Sequence, residues 1–455
     1  MTVLNKMFGA DDHAPRSVWT KVDELGVAVH TRGWFGGNVA DGRPPFVLVH
    51  GLALSSRYMI PLGRRLAAMG YDVLAPDLPG FGRTPRPARA RWPAAPNVRE
   101  QADQLLMWMD ACGIRRAVLF GDSVGSQVVV DLAARFPDRV DRLVLKGPTP
   151  DPRNRNPVKQ YARVLANMPF EAPSLNPLYQ VELASAGLPR MVRQLRRTVD
   201  DPIETKLPDV RAPALVLRGR YDRTLSQSWA EEFTRLLPNG RLVIIDGAAH
   251  NVHYTAAAVT ARLIGDFLDG RLDGAADGRS AGAGGDGGDE VVPRLAARND
   301  PLAPPKPLST RAHGVLDWIA GALYFSLPRL VRSGPRTRRL MTSVGNAGHV
   351  LSLCTDYESG VVRKVPMAVH LNFDMFTGLE LLTASATLLR GEPLPGRCAV
   401  AAMGVFELVT VAATRLPTGP ARLVPLGRPV RADALNRDAA AATPGPAVEA
   451  VSVGS

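Results

Sequence analysis

The stretch Ala117-Val-Leu-Phe-Gly-Asp-Ser-Val-Gly125, with the helical pattern that continues it to Arg135, decides the fold. Ala117–Phe120 is an unbroken apolar run, the mark of a strand buried on both faces. Val124–Arg135 spaces its apolar residues for one face of a helix. Between them lies Gly121-Asp122-Ser123-Val124-Gly125, a Gly-x-Ser-x-Gly motif. A serine on so sharp a turn projects its hydroxyl above the end of the sheet, and the flanking glycines let strand and helix pass without Cβ clashes. The helix starting at Val124 aims free amides and its positive dipole end at any oxyanion formed there. Ser123 is therefore the candidate nucleophile.

Outward from this turn the pattern repeats. Phe46–Val49 is a strand ending at His50-Gly51, Arg57–Met69 a helix, Tyr71–Ala75 a strand ending in Asp77-Leu-Pro-Gly-Phe-Gly82, and Val98–Ala111 a helix. Downstream, Arg142–Leu145, Ala214–Leu217 and Leu242–Ile245 are strands, with a helix over Ser226–Leu237. Continuous apolar strands separated by helices predict an α/β fold with a doubly wound, mostly parallel sheet. Residues 150–208 carry no strand run. They are polar, punctuated by proline and helical in places, and read as a helical cap inserted over one end of the sheet.

A serine hydroxyl is a weak nucleophile and needs a base. Arg218-Gly-Arg-Tyr-Asp222 follows one strand and Asp246-Gly-Ala-Ala-His250 the next. Both lie just past a strand's C-terminal end, where sites in such sheets form. In this reading Ser123 attacks, His250 is general base and then acid, and Asp222 orients the imidazole and stabilises its charge. Asp151 and His253 are the competing acid and base, and His253 falls at the start of the next helix.

Taken in order and spacing, His50-Gly51, Asp77–Gly82, Gly121–Gly125, Gly219…Asp222 and Gly247–His250 resemble the α/β-hydrolase fold family over residues 20–268. The resemblance implies an oxyanion hole made by the backbone N–H groups of Leu52 and Val124, a substrate-shaping role for the cap, and a structural turn at Asp77 and Gly80. It implies no cofactor. A serine nucleophile sets the chain apart from the haloalkane dehalogenase and epoxide hydrolase branches, which use a carboxylate. Esterases, lactonases, thioesterases, C–C bond hydrolases and cofactor-free haloperoxidases share the triad, so the substrate stays open. Arg190, Arg193, Arg196 and Arg197 in the cap could greet an acidic substrate; a solvated helix face is the plainer reading.

Of the 455 residues, 45% are hydrophobic and 22% charged, which excludes a wholly disordered chain. The net charge of +12 rests almost wholly on arginine, and no nucleic-acid-binding motif accompanies it, so no nucleic-acid partner is expected. Cys112, Cys354 and Cys398 lack metal-ligand spacing and fit a reducing compartment. Met1–Arg16 has no apolar core of a signal peptide, so the hydrolase domain is expected in the cytoplasm.

Composition divides the chain into an extension (1–19), the hydrolase domain (20–268), a Gly/Pro-rich linker (269–307), an apolar helical region (308–415) and a tail expected to be disordered (416–455). Seven of the 15 residues in Gly274–Gly288 are glycine, too little apolar surface to offset ordering entropy. A flexible linker of ~40 residues spans roughly 35 Å, so the two domains need not touch.

The helical region contains an internal repeat. His313-Gly-Val-Leu-Asp317-Trp-Ile-Ala-Gly321 recurs as His370-Leu-Asn-Phe-Asp374-Met-Phe-Thr-Gly378, and each copy is followed by a second apolar segment, predicting two helical hairpins and four helices. Small residues such as Gly321, Gly345, Gly378 and Gly404 suit close packing in a membrane bundle. The region also resembles bacterial membrane proteins of the SPW-repeat kind. A four-helix transmembrane domain is therefore expected, with a soluble bundle as the alternative. Four spans with a cytoplasmic hydrolase would place Arg329, Arg332, Arg336, Arg338 and Arg339 outside, against the positive-inside tendency. His313, Asp317, His370 and Asp374 could converge on a metal or a proton path. Mutual hydrogen bonding that locks the hairpins together is the plainer reading, and no metal is assigned to them.

The sequence thus predicts a serine hydrolase acting on an ester-like or other carbonyl substrate, small and lipid-like, through an acyl-enzyme, tethered to a membrane. An acyltransferase or C–C bond hydrolase with the same triad, and a non-catalytic membrane or interaction protein, are the alternatives. Nothing in the sequence fixes the oligomeric state.

Overall fold

The computed structural model describes residues 14–36, 42–52, 54–87, 95–272, 306–417, 419–424 and 426. Residues 1–13 of the extension, most of the linker and the end of the tail lie outside them.

The elements run β1 (Arg16–Val22), β2 (Val27–Trp34), β3 (Phe46–Val49), α1 (Ile60–Ala68), β4 (Val73–Pro76), α2 (Val98–Ala111), β5 (Ala117–Asp122), α3 (Val124–Arg135) and β6 (Val140–Lys146). The helices α4 (Pro157–Asn167), α5 (Leu175–Ala186), α6 (Leu188–Val199) and α7 (Ile203–Lys206) then precede β7 (Ala214–Gly219). They fill the stretch expected to form a cap. Then come α8 (Gln227–Leu236), β8 (Gly240–Ile245), α9 (Val252–Thr255) and α10 (Ala257–Leu268).

The nine strands form one sheet in the order β1-β2-β4-β3-β5-β6-β7-β8-β9, where β9 is Ala421–Val424. Pairing is parallel from β4 through β8 and antiparallel at the two edges. All six residues of β5 are buried. Val118 and Phe120 join the core on one face, with Leu62, Ile264 and Phe267; Ala117 and Leu119 join the other, with Trp108, Trp229 and Phe233. That two-sided burial is why the strand reads as a continuous apolar run. α2 begins with a capping box: the Asn97 side chain accepts from the Glu100 amide at 2.9 Å, and the Glu100 carboxylate accepts from the Asn97 amide at 2.6 Å.

The edges depart from the sequence reading. Residues 16–19, assigned to the extension, open β1, whose exposure alternates along its length, so it offers no apolar run. Ala421–Val424, assigned to a disordered tail, pairs with β8 through Leu242↔Val424 and Ile245↔Ala421. Ala421 and Leu423 are buried there. The chain leaves the sheet, builds the helical region and returns to complete the sheet's edge.

That region holds four helices, α11 (Thr310–Leu330), α12 (Pro335–Cys354), α13 (Met367–Ala386) and α14 (Leu394–Ala413), each 20 or 21 residues long. They pair as two hairpins. α13 and α14 pack closely at Gly378, where a Cβ would lie 2.9 Å from the Gly404 carbonyl oxygen. The hairpin turns meet at the end remote from the sheet, where Glu392 accepts from the Thr337 hydroxyl at 3.1 Å. Among the described residues one helix, Leu394–Ala413, is long and apolar enough to cross a membrane by length and composition.

The domains touch, a contact that the linker's reach permits without requiring. Asn372 on α13 donates to the carbonyls of Pro169 at 3.1 Å and Glu171 at 2.8 Å, and accepts from the Asn176 side chain at 2.6 Å. Residues in the cap and in the repeat thus grip one another.

Candidate active site

Ser123 lies between β5 and α3 with φ 52° and ψ −110°, a conformation costly for any residue but glycine. The tight passage holds it there. A Cβ on Gly121 would stand 2.6 Å from the Gly125 oxygen, and one on Gly125 would collide with the Val49 carbonyl. The Ser123 amide donates to the Lys146 carbonyl at 2.8 Å, and its hydroxyl lies 3.4 Å from that of Thr149. Val124 is the first helical residue, so its amide has no intrahelical partner.

Asp222 and His250 meet as the sequence reading paired them: His250 Nδ1 lies 2.8 Å from Asp222 Oδ2. Thr224, which that reading missed, donates to Asp222 Oδ1 at 2.7 Å and lies 2.6 Å from His250 Nδ1. Its hydroxyl thus braces the carboxylate that faces the imidazole. Its place two residues after an aspartate in a turn was the available signal. Burial would raise the Asp222 carboxyl, but the His250 imidazole and the Thr224 bond outweigh it and hold the group well below the usual carboxylate range. The His250 ring packs against Gly147, at φ 56°, where a Cβ would collide with the ring. Ser123 and His250 therefore border the same strand end, one bonded to Lys146 and the other over Gly147.

The two competing residues stand elsewhere. The Asp151 carboxylate is taken up by Arg153, whose Nε lies 2.9 Å away. His253 is fully buried, edge-on to Tyr58 with ring centroids 4.7 Å apart. Neither of its ring nitrogens has a hydrogen-bond partner among the described residues. Burial pushes its pKa down to about 3, so it is neutral in the folded protein.

Beneath the turn lies a buried polar network. Lys146, the one charged residue at the buried end of β6, pairs with Asp122 and approaches Asn251 at 3.4 Å. Tyr58 donates to Asp122 and accepts from the Gly51 amide at 2.8 Å, so one side chain ties the serine turn to the turn bearing Leu52. His50 accepts from the Leu78 amide at 3.0 Å, leaving Nδ1–H to donate to the Gly51 carbonyl at 2.8 Å. Burial lowers the His50 pKa, which favours this neutral form. Leu52 and Leu183 both pack against Met191, an apolar wall between the cap and the turn bearing Leu52. Glu171, fully buried and with its pKa raised by burial, accepts from the Asn251 amide at 3.0 Å, next to His250.

In the cap, Arg193, Arg196 and Arg197 are exposed, but Arg190 is not a solvated residue. Its guanidinium lies 4.1 Å over the Phe81 ring and donates to the Pro79 carbonyl at 3.1 Å, pinning α6 to the Asp77–Gly82 turn. Asp77 accepts from His30 Nδ1 at 2.8 Å and from the Ser56 and Arg83 amides at 2.6 and 2.9 Å, which makes it a bracing residue.

The family model for the alpha/beta hydrolase fold matches residues 44–207, and that for TAP-like protein matches residues 193–279. RutD of Pseudomonas savastanoi pv. phaseolicola, which bears a carbamate hydrolase name, is 26% identical over 250 residues, 50% of this chain and 94% of RutD. A 2-hydroxymuconate semialdehyde hydrolase of Pseudomonas putida is 29% identical over 253 residues, 49% of this chain and 86% of that one. A haloalkane dehalogenase of Mycobacterium marinum is 40% identical over 122 residues, 26% of this chain and 39% of that one. Through its first domain the chain belongs to the alpha/beta-hydrolase family.

Proposed function

We propose that the protein is a serine hydrolase of ester-like carbonyl substrates, working through an acyl-enzyme. The observation that carries this reading is the strained placement of Ser123 at the strand end that also bears the buried Asp222–His250 pair. In this mechanism His250 takes the Ser123 proton as Oγ attacks the carbonyl carbon. The resulting oxyanion is held by the Leu52 and Val124 amides. His250 returns the proton to the leaving group, and water, activated by the same base, then frees the acid. Asp222, kept ionised, stabilises the imidazolium.

The wall of Leu52, Met191 and Leu183 supports an apolar, lipid-like acyl group. The names borne by relatives span a carbamate hydrolase and a 2-hydroxymuconate semialdehyde hydrolase, so a C–C bond hydrolase with the same triad is the second reading.

The four helices tether the enzyme to a membrane. Trp318, Ile319, Val350, Phe376, Leu379 and Val409, spread over all four, are exposed large apolar residues on helices each about 30 Å long, the thickness of a bilayer core. Such a surface is unusual for a protein facing water.

The deciding experiment is labelling by a fluorophosphonate probe together with turnover of p-nitrophenyl esters of rising chain length. Probe attached at Ser123 and an ester chain-length optimum support the reading. An unlabelled, inert full-length protein overturns it in favour of a binding module.

A further inference from the structure

Each helical hairpin brings one histidine and one aspartate to a single buried point. His313 Nε2 lies 3.2 Å from Asp317 Oδ1 and 3.3 Å from Asp374 Oδ2. His370 Nε2 lies 3.2 Å from Asp317 Oδ2 and 3.1 Å from Asp374 Oδ2. We infer that these four side chains are the ligands of one four-coordinate divalent transition-metal ion, with zinc the metal the set fits best.

The outer nitrogens decide the tautomer. Thr414 donates its hydroxyl to the Thr410 carbonyl at 2.6 Å and lies 2.8 Å from His313 Nδ1. Thr355 donates to the Leu351 carbonyl at 2.7 Å and lies 2.7 Å from His370 Nδ1. A hydroxyl that has given its one hydrogen to a carbonyl can only accept from the ring. Both imidazoles therefore carry a proton on Nδ1, and it is Nε2 that each ring turns toward the carboxylates and would offer to a metal in exchange for its proton. A metal-bound histidine has this arrangement, the far ring nitrogen being fixed by an outer hydrogen bond. The arrangement is itself duplicated: the His313 anchor comes from the end of α14 and the His370 anchor from the end of α12.

The distances fit a metal better than hydrogen bonds. A proton on Nε2 shared between two carboxylates makes two weak, off-axis bonds, whereas a charge-assisted N–H···O bond to one of them closes to about 2.7–2.9 Å. Here each Nε2 is nearly equidistant from both carboxylates, and every contact is longer than that. The edge of a tetrahedron with metal–ligand bonds of about 2.0–2.1 Å is about 3.3–3.4 Å. All four donor atoms lie within 4.8 Å of one another. His313 and His370 are almost wholly buried, and once both imidazoles give up their Nε2 protons to a metal, the two carboxylates hold two negative charges that a dication cancels. Two histidines and two carboxylates suit zinc in four-coordination.

With four protein ligands the ion has no open position, and its role is to staple α11 to α13. Asn372, which grips the cap, stands between the ligands His370 and Asp374, so the ion also fixes the segment that holds the hydrolase. The inference does not depend on the catalytic reading.

The test uses the full-length chain in detergent. Metal analysis should find about one equivalent of zinc per chain. After chelation the protein should take up one Co2+ and develop the visible absorption of tetrahedral cobalt. His370→Ala should abolish that spectrum, and Thr355→Val, which removes only the outer anchor, should weaken Co2+ binding by roughly 10–100-fold. A chain with intact helicity that binds neither Zn2+ nor Co2+ overturns the inference and leaves two imidazolium–carboxylate pairs. So does a Co2+ spectrum unchanged in His370→Ala. If His370→Ala fails to fold, the wild-type cobalt spectrum and the Thr355→Val affinity decide.

Discussion

Asn372 donates its side-chain amide to the Glu171 carbonyl at 2.8 Å, across 201 residues of chain, and joins the helical repeat to the cap of the hydrolase. The Glu171 side chain in turn holds the Asn251 amide beside His250. Asn372→Ala removes these bonds and should lower stability by about 1–3 kcal/mol. Asn372→Asp should be worse, because it sets a carboxylate against two main-chain carbonyls. KM for p-nitrophenyl esters should rise in both, more than kcat falls. Melting temperature and steady-state kinetics check the order; an aspartate variant milder than alanine would show that the contact does not bear on the cap.

Ser123→Ala and His250→Ala should each lower kcat by roughly 10⁴-fold or more, with little further loss in the double variant, because such residues act as a unit. Asp222→Asn should cost roughly 10⁴-fold by favouring the wrong tautomer. Turnover within tenfold of wild type for Ser123→Ala would remove the assignment.

His253 is neutral and buried when folded, with a pKa pushed down to about 3, whereas an unfolded histidine titrates near 6.5. Between those values the unfolded chain binds the extra proton, so His253 makes stability fall as pH drops from about 6.5 toward 3, by up to about 1.4 kcal/mol per pH unit. His253→Phe keeps the ring against Tyr58 and removes the titration. It should leave kcat near wild type and flatten the stability profile over that window. Thermal denaturation at stepped pH values measures this, and an equally steep profile in the variant would assign the acid lability elsewhere.

Leu423 is buried where β9 covers the edge of β8. Leu423→Ala should destabilise the hydrolase domain by about 2 kcal/mol or more. A chain stopped at residue 272 leaves β8 as a bare edge and should aggregate. A truncated chain that stays monomeric and labels with the probe as fast as the full chain would show that β9 is dispensable.

Expressed whole, the protein should fractionate with membranes and resist carbonate extraction. Recovery of the full chain in the soluble fraction without detergent would return the four helices to a soluble bundle.

The centre of the sheet is legible in the chain alone. β3, β5, β7 and β8 are buried on both faces, so their burial is written as uninterrupted apolar runs, and the turns after them display Ser123, Asp222 and His250 in readable order. Duplication likewise exposed His313, Asp317, His370 and Asp374 as recurring positions. The rest is not legible there, because the remaining partners are set by contacts between distant segments. β1 is an exposed edge with alternating burial, and β9 is four residues whose partner lies some 180 positions away. Thr224 and Thr355 are ordinary threonines until a ring nitrogen arrives from another element. Lys146 and Arg190 are charges that composition assigns to solvent and packing places inside, one against Asp122 and the other over Phe81. A residue's periodicity records which face it shows its own element; it carries no record of what that face will meet.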